Sequence, residues 1–136
     1  MKSVIFILIL FPVFAFAQLS ENFSDGDFTE NPAWSGDIER FIVNSSQLLQ
    51  LNTSGEGTSY LSTPVDLEGL IEWRLWVRLN FSPSDNNNAR IYLVADQQNL
   101  KEPLNGYFLK LGEGGSADAI ELYRQSGTAE YLITRG

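Results

Sequence analysis

The chain contains neither cysteine nor histidine. Without cysteine it can form no disulfide, so its stability has to come from packing. The common zinc sites lose their usual ligands, and catalytic triads built on histidine are excluded. The chemistry that remains belongs to carboxylates, hydroxyls, Lys, Arg and aromatic rings. We predict no cofactor, no metal-binding residue and no catalytic residue.

Basic residues are also scarce. The sequence has 9 Lys and Arg against 17 Asp and Glu, which gives a formal net charge of −8. A domain this acidic repels phosphate backbones, and no basic cluster offsets the repulsion. Nucleic acid is therefore not an expected partner.

The amino terminus has the three regions of a secretory signal peptide. Lys2 supplies the positive charge, residues 3–16 are almost wholly apolar, and Ala15 and Ala17 are the small residues read by signal peptidase. The apolar run is shorter than the roughly 20 residues that span a bilayer. No cysteine follows it, which excludes a lipoprotein. We predict a signal peptide over residues 1–17 and a domain over 18–136 that is secreted or displayed at the cell surface, without membrane insertion.

Removing 17 of the 136 residues leaves 119, the size of one domain. No stretch of them keeps a long 3.6-residue apolar period, so no major helix is predicted. Short alternating segments are instead separated by loops rich in Gly, Asn, Asp, Ser and Pro. The predicted strands are 38–43, 47–52, 59–64, 71–81, 89–96, 106–111, 119–124 and 130–133. This pattern is typical of an all-β fold, an antiparallel β-sandwich.

The second half of the chain alternates cleanly between apolar and polar residues. Because side chains in a strand alternate between its two faces, Trp73, Ile91, Leu109 and Ile120 are predicted to face the core. The residues between them point away. Trp34, which follows a Pro in a loop, is also interpreted as a core residue.

Seven of the outward residues form the predicted ligand-binding surface. They are Trp76, Tyr92, Phe108 and Tyr123, one from each of four successive strands, with Arg74, Arg78 and Arg90 on the same face. Strands lie about 4.8 Å apart, so the row extends roughly 14 Å across the sheet. Sugar rings stack on aromatic faces, so the row predicts a glycan cleft. A covering sheet or cross-strand aromatic pairing explains the same residues without any ligand.

Six segments carry a resemblance to a known family: residues 23–28, 34–37, 76–79, 91–96, 104–108 and 120–125. They resemble the amino-terminal region of large secreted bacterial proteins, some of which carry a lamin-tail domain. That region is similar to the concanavalin A-like (laminin G-like) jelly rolls. The resemblance implies two curved antiparallel sheets with more strands than this chain supplies. The superfamily includes lectins, carbohydrate-binding modules and glycanases, so a sugar ligand is inferred by fold analogy.

The carboxyl-terminal segment looks like a strand that is just beginning. Tyr131, Leu132 and Ile133 are followed by three residues only. A strand without a partner exposes unpaired backbone on an apolar edge. We therefore expect a fold truncated at its C-terminus, with further domains of a longer protein, although a sandwich of this length remains an alternative.

Two chemical alternatives stay open. Asp25 and Asp27, and Asp85 with the three Asn that follow it, offer oxygen ligands for Ca²⁺, but neither loop has the spaced calcium-binding pattern. Turn chemistry explains both. A glycoside hydrolase needs two carboxylates about 5–9 Å apart. Glu72 and Glu121 could approach across the sheet, but no residue pattern singles them out.

The predicted function is a non-catalytic β-sandwich module that binds carbohydrate. One alternative is a structural spacer or adhesion domain with no ligand of its own, and a second is a glycoside hydrolase fragment.

Overall fold

The computed structural model describes residues 19–115 and 119–136, so the predicted leader over 1–17 lies outside the described residues. Apart from one 3-10 turn over Ile38–Arg40, the regular structure in these ranges consists of β-strands. Every strand pairing is antiparallel. The predicted all-β antiparallel class is confirmed, while the jelly-roll order of strands stays a prediction. No helix in the described ranges has the length and apolarity to cross a membrane.

Within the described residues, eight strands form three sheets. The first half of the chain makes two small two-stranded sheets: β1 (Ser35–Gly36) pairs with β4 (Leu61–Ser62), and β2 (Phe41–Val43) pairs with β3 (Leu49–Leu51), the second pair lying between β1 and β4 in the sequence. The second half makes a four-stranded meander. Its strands are β5 (Ala89–Ala95), β6 (Leu104–Leu111), β7 (Ile120–Gly127) and β8 (Ala129–Arg135), in that order across the sheet.

Local side-chain chemistry fixes the turns between paired strands. Asn44 directly follows β2, and its side-chain oxygen accepts hydrogen bonds from the backbone N–H groups of Ser46 (2.9 Å) and Leu48 (3.2 Å). This is the turn-forming behaviour for which Asn is favoured. Between β7 and β8, Ser126 pairs with Ala129, and Gly127 opens the two-residue turn with a φ of +61°. Glycine adopts that left-handed backbone without steric cost.

The predicted strand over 71–81 is not present. That segment forms no strand. Of the six alternating apolar residues expected in the core along it, Leu79 is half-buried and five are exposed: Ile71, Trp73, Leu75, Val77 and Phe81. Its polar residues interact locally instead, with Arg74 donating to Glu72 at 2.8 Å. Alternating apolar and polar residues separate into a buried and an exposed face only when the segment is extended as a strand. A strand in turn needs a neighbouring strand to accept and donate its backbone hydrogen bonds. No strand in the described part of the chain pairs with this segment.

The loop between β5 and β6 joins the large sheet to the small ones. Lys101 Nζ lies 2.7 Å from a carboxylate oxygen of Asp37, which also accepts the backbone N–H of Tyr60. The Lys101 hydrogen bond, reinforced by Tyr60, lowers the pKa of Asp37 below its ordinary value. Gln98 in the same loop donates to the Ser35 hydroxyl at 2.7 Å. Polar contacts therefore hold the two halves of the chain together at this end.

The large sheet has two chemically distinct faces. We call one the aromatic face because it carries Tyr92, Phe108 and Tyr123, and the other the opposite face, which carries Ile91, Leu109 and Ile120. The aromatic face was predicted to point outward, yet Phe108 on it is 0% exposed, whereas Ile120 on the predicted core face is 52% exposed. The two alternating sets of residues were predicted correctly. At these positions, however, the set predicted to be buried is the more exposed one, and the set predicted to be exposed is the more buried one.

Candidate functional site

Three of the predicted aromatic residues lie side by side as expected. Phe108 on β6 is the direct cross-strand partner of both Tyr92 on β5 and Tyr123 on β7. The ring centroids of Tyr92 and Phe108 are 5.0 Å apart, and those of Phe108 and Tyr123 are 5.3 Å apart with planes at 6°. Both separations are typical of favourable aromatic pairs. The row is therefore held together by cross-strand packing.

An ion pair crosses this row. Arg90 Nη1 on β5 donates to Glu130 Oε1 on β8 at 2.5 Å, which joins the two edge strands of the sheet. The guanidinium carbon lies 5.0 Å from the centroid of the Phe108 ring. This cation–π contact places Arg90 over the middle ring. Since Phe108 has no exposed surface, it cannot stack against a sugar unless the Arg90 side chain moves.

The tyrosine hydroxyls of the aromatic face are also engaged. Tyr92 donates to Gln125 Oε1 at 2.5 Å, and Tyr123 donates to Glu121 Oε2 at 3.3 Å. Burial raises the pKa of the Tyr92 phenol. Burial, together with the Glu121 carboxylate, raises the pKa of Tyr123. These groups satisfy one another, so the aromatic face is a closed surface of hydrogen-bonded and stacked side chains.

The other three predicted site residues lie elsewhere. Trp76 is 69% exposed and, with Leu75 and Val77, lines an apolar cavity of about 370 Å³ against the opposite face of the sheet. Arg74 pairs with Glu72, and Arg78 is exposed in the same strandless segment. The structure therefore brings together Tyr92, Phe108, Tyr123 and Arg90, and separates Trp76, Arg74 and Arg78 from them.

The opposite face carries an exposed set of residues that sequence reasoning missed. Tyr107 on β6 pairs with Arg124 on β7, and Arg124 pairs with Tyr131 on β8. We call these three residues the tyrosine–arginine row. Tyr107 is 43% exposed and Tyr131 is 49% exposed. The Arg124 guanidinium carbon lies 5.0 Å from the centroid of the Tyr131 ring, which holds the cation over that ring.

A signal for this row was present in the sequence. Arg124 follows Leu122 by two residues and so shares the face that was assigned to the core. A charged residue at that position indicates that the apolar part of the face ends there. The cross-strand register that places Tyr107 and Tyr131 on either side of Arg124 could not be read from the sequence.

A shallow depression of about 220 Å³ adjoins the tyrosine–arginine row. It is lined by Asn105, Gly106, Tyr107, Arg124, Gln125 and Ser126. Asn105 and Ser126 are direct cross-strand partners in the next row of the sheet. Asp96 accepts both the backbone N–H and the side-chain amide of Asn105, each at 2.7 Å, and these bonds lower the pKa of Asp96. The Asn105 amide is therefore held in place, with its carbonyl oxygen left as an acceptor.

The carboxylates considered for calcium form turns or ion pairs. Asp25 accepts the backbone N–H of Asp27 at 3.1 Å, and Asp27 accepts that of Thr29 at 3.0 Å. Asp85 lies 3.2 Å from Lys110 Nζ. Within residues 19–115 and 119–136, no group of three or more acidic side chains is arranged to hold a metal ion.

The two carboxylates considered for hydrolysis lie in different environments. Glu121 is buried on the aromatic face, where it accepts from Tyr123 and lies 3.9 Å from Lys110 Nζ. Glu72 is exposed and bound to Arg74. Each carboxylate therefore already has a cationic or hydroxyl partner.

Comparison with known proteins finds no match. No family model, no curated protein and no solved structure is significantly similar to this chain.

Proposed function

We propose that this chain is a secreted, non-catalytic β-module that binds carbohydrate through the tyrosine–arginine row. The leader-like amino terminus supports export. The resemblance to concanavalin A-like jelly rolls, in which sugar binding is common, supports the ligand class by analogy. The observation that carries the proposal is the pair of half-exposed tyrosines flanking Arg124 beside the depression.

Size and chemistry both favour a sugar at this position. Tyr107 and Tyr131 are separated by one intervening strand, which puts them roughly 9–10 Å apart. Tyrosine offers a rigid, partly apolar surface at small cost in side-chain entropy. Asn105 and Ser126 line the same depression and supply acceptor and donor groups for hydroxyls. A flat apolar surface edged by a few polar groups fits the alternating apolar and hydroxylated surfaces of a sugar ring.

The aromatic face supports the same function less well. Its central ring is fully buried beneath Arg90, and its tyrosine hydroxyls already donate to protein acceptors. Binding there would require breaking the ion pair between Arg90 and Glu130. At the tyrosine–arginine row Arg124 also lies over a ring, that of Tyr131, but Tyr107 is half-exposed and no ion pair has to break for a ligand to bind.

The test is titration of the purified protein against a panel of oligosaccharides by calorimetry. Tyr107→Ala and Tyr131→Ala should each weaken binding by about tenfold or more, a loss of about 1.4 kcal/mol. Trp76→Ala is the matched control, since it removes an exposed aromatic side chain outside the row. Binding that survives both tyrosine changes, or that is lost in Trp76→Ala, would overturn the proposed site. A folded protein that binds no glycan would leave the structural spacer as the better explanation.

A further inference from the structure

The cationic side chains of this acidic chain are mostly neutralised by carboxylates. Eight of the nine Lys and Arg residues lie in the described ranges. Six of these eight come within 4.0 Å of a carboxylate oxygen: Arg40, Arg74, Arg90, Lys101, Lys110 and Arg135. Arg78 and Arg124 are the two that do not, among the residues that the structure describes. Of these two, only Arg124 lies in a sheet and beside a depression.

The surroundings of Arg124 favour the binding of an anionic group by its guanidinium. Its cross-strand neighbours are the neutral side chains of Tyr107 and Tyr131, and the cation–π contact with Tyr131 restrains the guanidinium. A guanidinium against an aromatic ring keeps the N–H groups in its own plane, where they can bind a planar carboxylate through two parallel hydrogen bonds. Although the chain has an excess of acidic residues, no carboxylate of the described residues lies within ion-pair distance of Arg124.

We infer that the tyrosine–arginine row recognises an acidic sugar, with the carboxylate of a uronic acid residue bound by Arg124. This inference rests on the proposed function, because it assumes a carbohydrate ligand at the same row. The uronate ring lies against one of the flanking tyrosines, while Asn105 and Ser126 meet the hydroxyls of the next residue. The net charge of −8 disfavours long polyanions. The ligand is therefore a short acidic oligosaccharide or a glycan with isolated uronate residues.

The carboxylate can be tested separately from the sugar. Trigalacturonic acid and its fully methyl-esterified form have the same rings, but only the first carries charge. We expect the acid to bind at least about tenfold more tightly than the ester in calorimetric titration. The Arg124→Gln variant should bind the acid no more tightly than it binds the ester. Arg124→Lys should recover only part of the preference, since an ammonium group cannot form the paired hydrogen bonds of a guanidinium.

Arg78→Gln is the matched control, because Arg78 is the other cation of the described residues without a carboxylate partner and it lies outside the row. It should leave the preference for the acid unchanged. Equal affinity for acid and ester, or an unchanged preference in Arg124→Gln, would overturn the inference. If neutral oligosaccharides bind and depend on Tyr107 and Tyr131 while the acid is not preferred, carbohydrate binding stands and the acidic class is wrong. Failure of every glycan to bind overturns both.

Discussion

Replacing Phe108 by alanine tests whether the aromatic face is packed or open. The ring has no exposed surface and lies between Tyr92 and Tyr123 beneath Arg90. An open sugar-binding residue could be truncated with little effect on folding. A packed residue cannot, because truncation removes buried apolar surface and leaves a cavity in the sheet face.

The expected cost follows from this environment. Truncation of a fully buried Phe to Ala lowers the free energy of unfolding by about 3–5 kcal/mol. The lower end of that range, about 3 kcal/mol, is expected because the neighbouring tyrosines are only partly buried and can collapse into the space. Phe108→Leu retains most of the apolar volume and should cost about half as much. It also remains measurable if the alanine variant fails to fold.

The assay is urea unfolding followed by tryptophan fluorescence and circular dichroism, with the m value compared between variants. Tyr131→Ala serves as control, since that ring is half-exposed on the edge strand and should cost less than about 1 kcal/mol. If Phe108→Ala costs no more than this control at an unchanged m value, Phe108 is not packed as described. The conclusion that the side chains of the aromatic face pack against one another and leave no open binding surface would then be wrong.

Three further perturbations probe the same sheet. Glu130→Gln removes the carboxylate partner of Arg90 and should lower the free energy of unfolding by about 1 kcal/mol. A double-mutant cycle with Arg90→Ala should show non-additivity, and additive losses would contradict the ion pair. Gly106→Ala should lower the urea midpoint, since a Cβ there would lie within overlap distance of the Val94 carbonyl oxygen and force β5 and β6 apart by local overpacking. An unchanged midpoint would mean that the strands do not approach so closely. Finally, the raised pKa values of Tyr92 and Tyr123 keep both phenols neutral in the folded state, so they ionise first in the unfolded chain, at a pH of about 10. Their contribution to stability is complete below that pH and is lost as the pH rises through their folded-state pKa values. Tyr92→Phe should flatten this alkaline loss in urea melts, and an equally steep loss in the variant would count against the burial of Tyr92.

The sequence predicted the strands of the large sheet well and those of the first half less well. The four carboxyl-terminal predictions all overlap observed strands, because apolar alternation there coincides with turn residues such as Gly127. In the first half, the predicted strands shorten to β2, β3 and β4. The segment over 71–81 has the cleanest alternation of all, yet it forms no strand. Periodicity is a local property, whereas a strand needs a hydrogen-bonded neighbour that is distant in the sequence.

The candidate site, too, was predictable from the sequence in part only. Residue types and spacing were enough to predict that Tyr92, Phe108 and Tyr123 would be cross-strand neighbours, since register in a short meander is set by its turns. The exposure of that row was not predictable, because it depends on Arg90 meeting Glu130 at a sequence separation of 40 residues.

By itself, then, the amino-acid sequence determined the antiparallel β-architecture of this chain, the alternation of side chains along the strands of its large sheet and its dependence on packing in the absence of disulfides. Tertiary structure alone decided which face of the large sheet is closed and which is accessible. The physical reason is that alternation along a strand determines which side chains share a face of the sheet, but it does not determine which of the two faces other residues cover. An ion pair between the two edge strands covers Phe108, while cross-strand register leaves Tyr107, Arg124 and Tyr131 exposed to solvent.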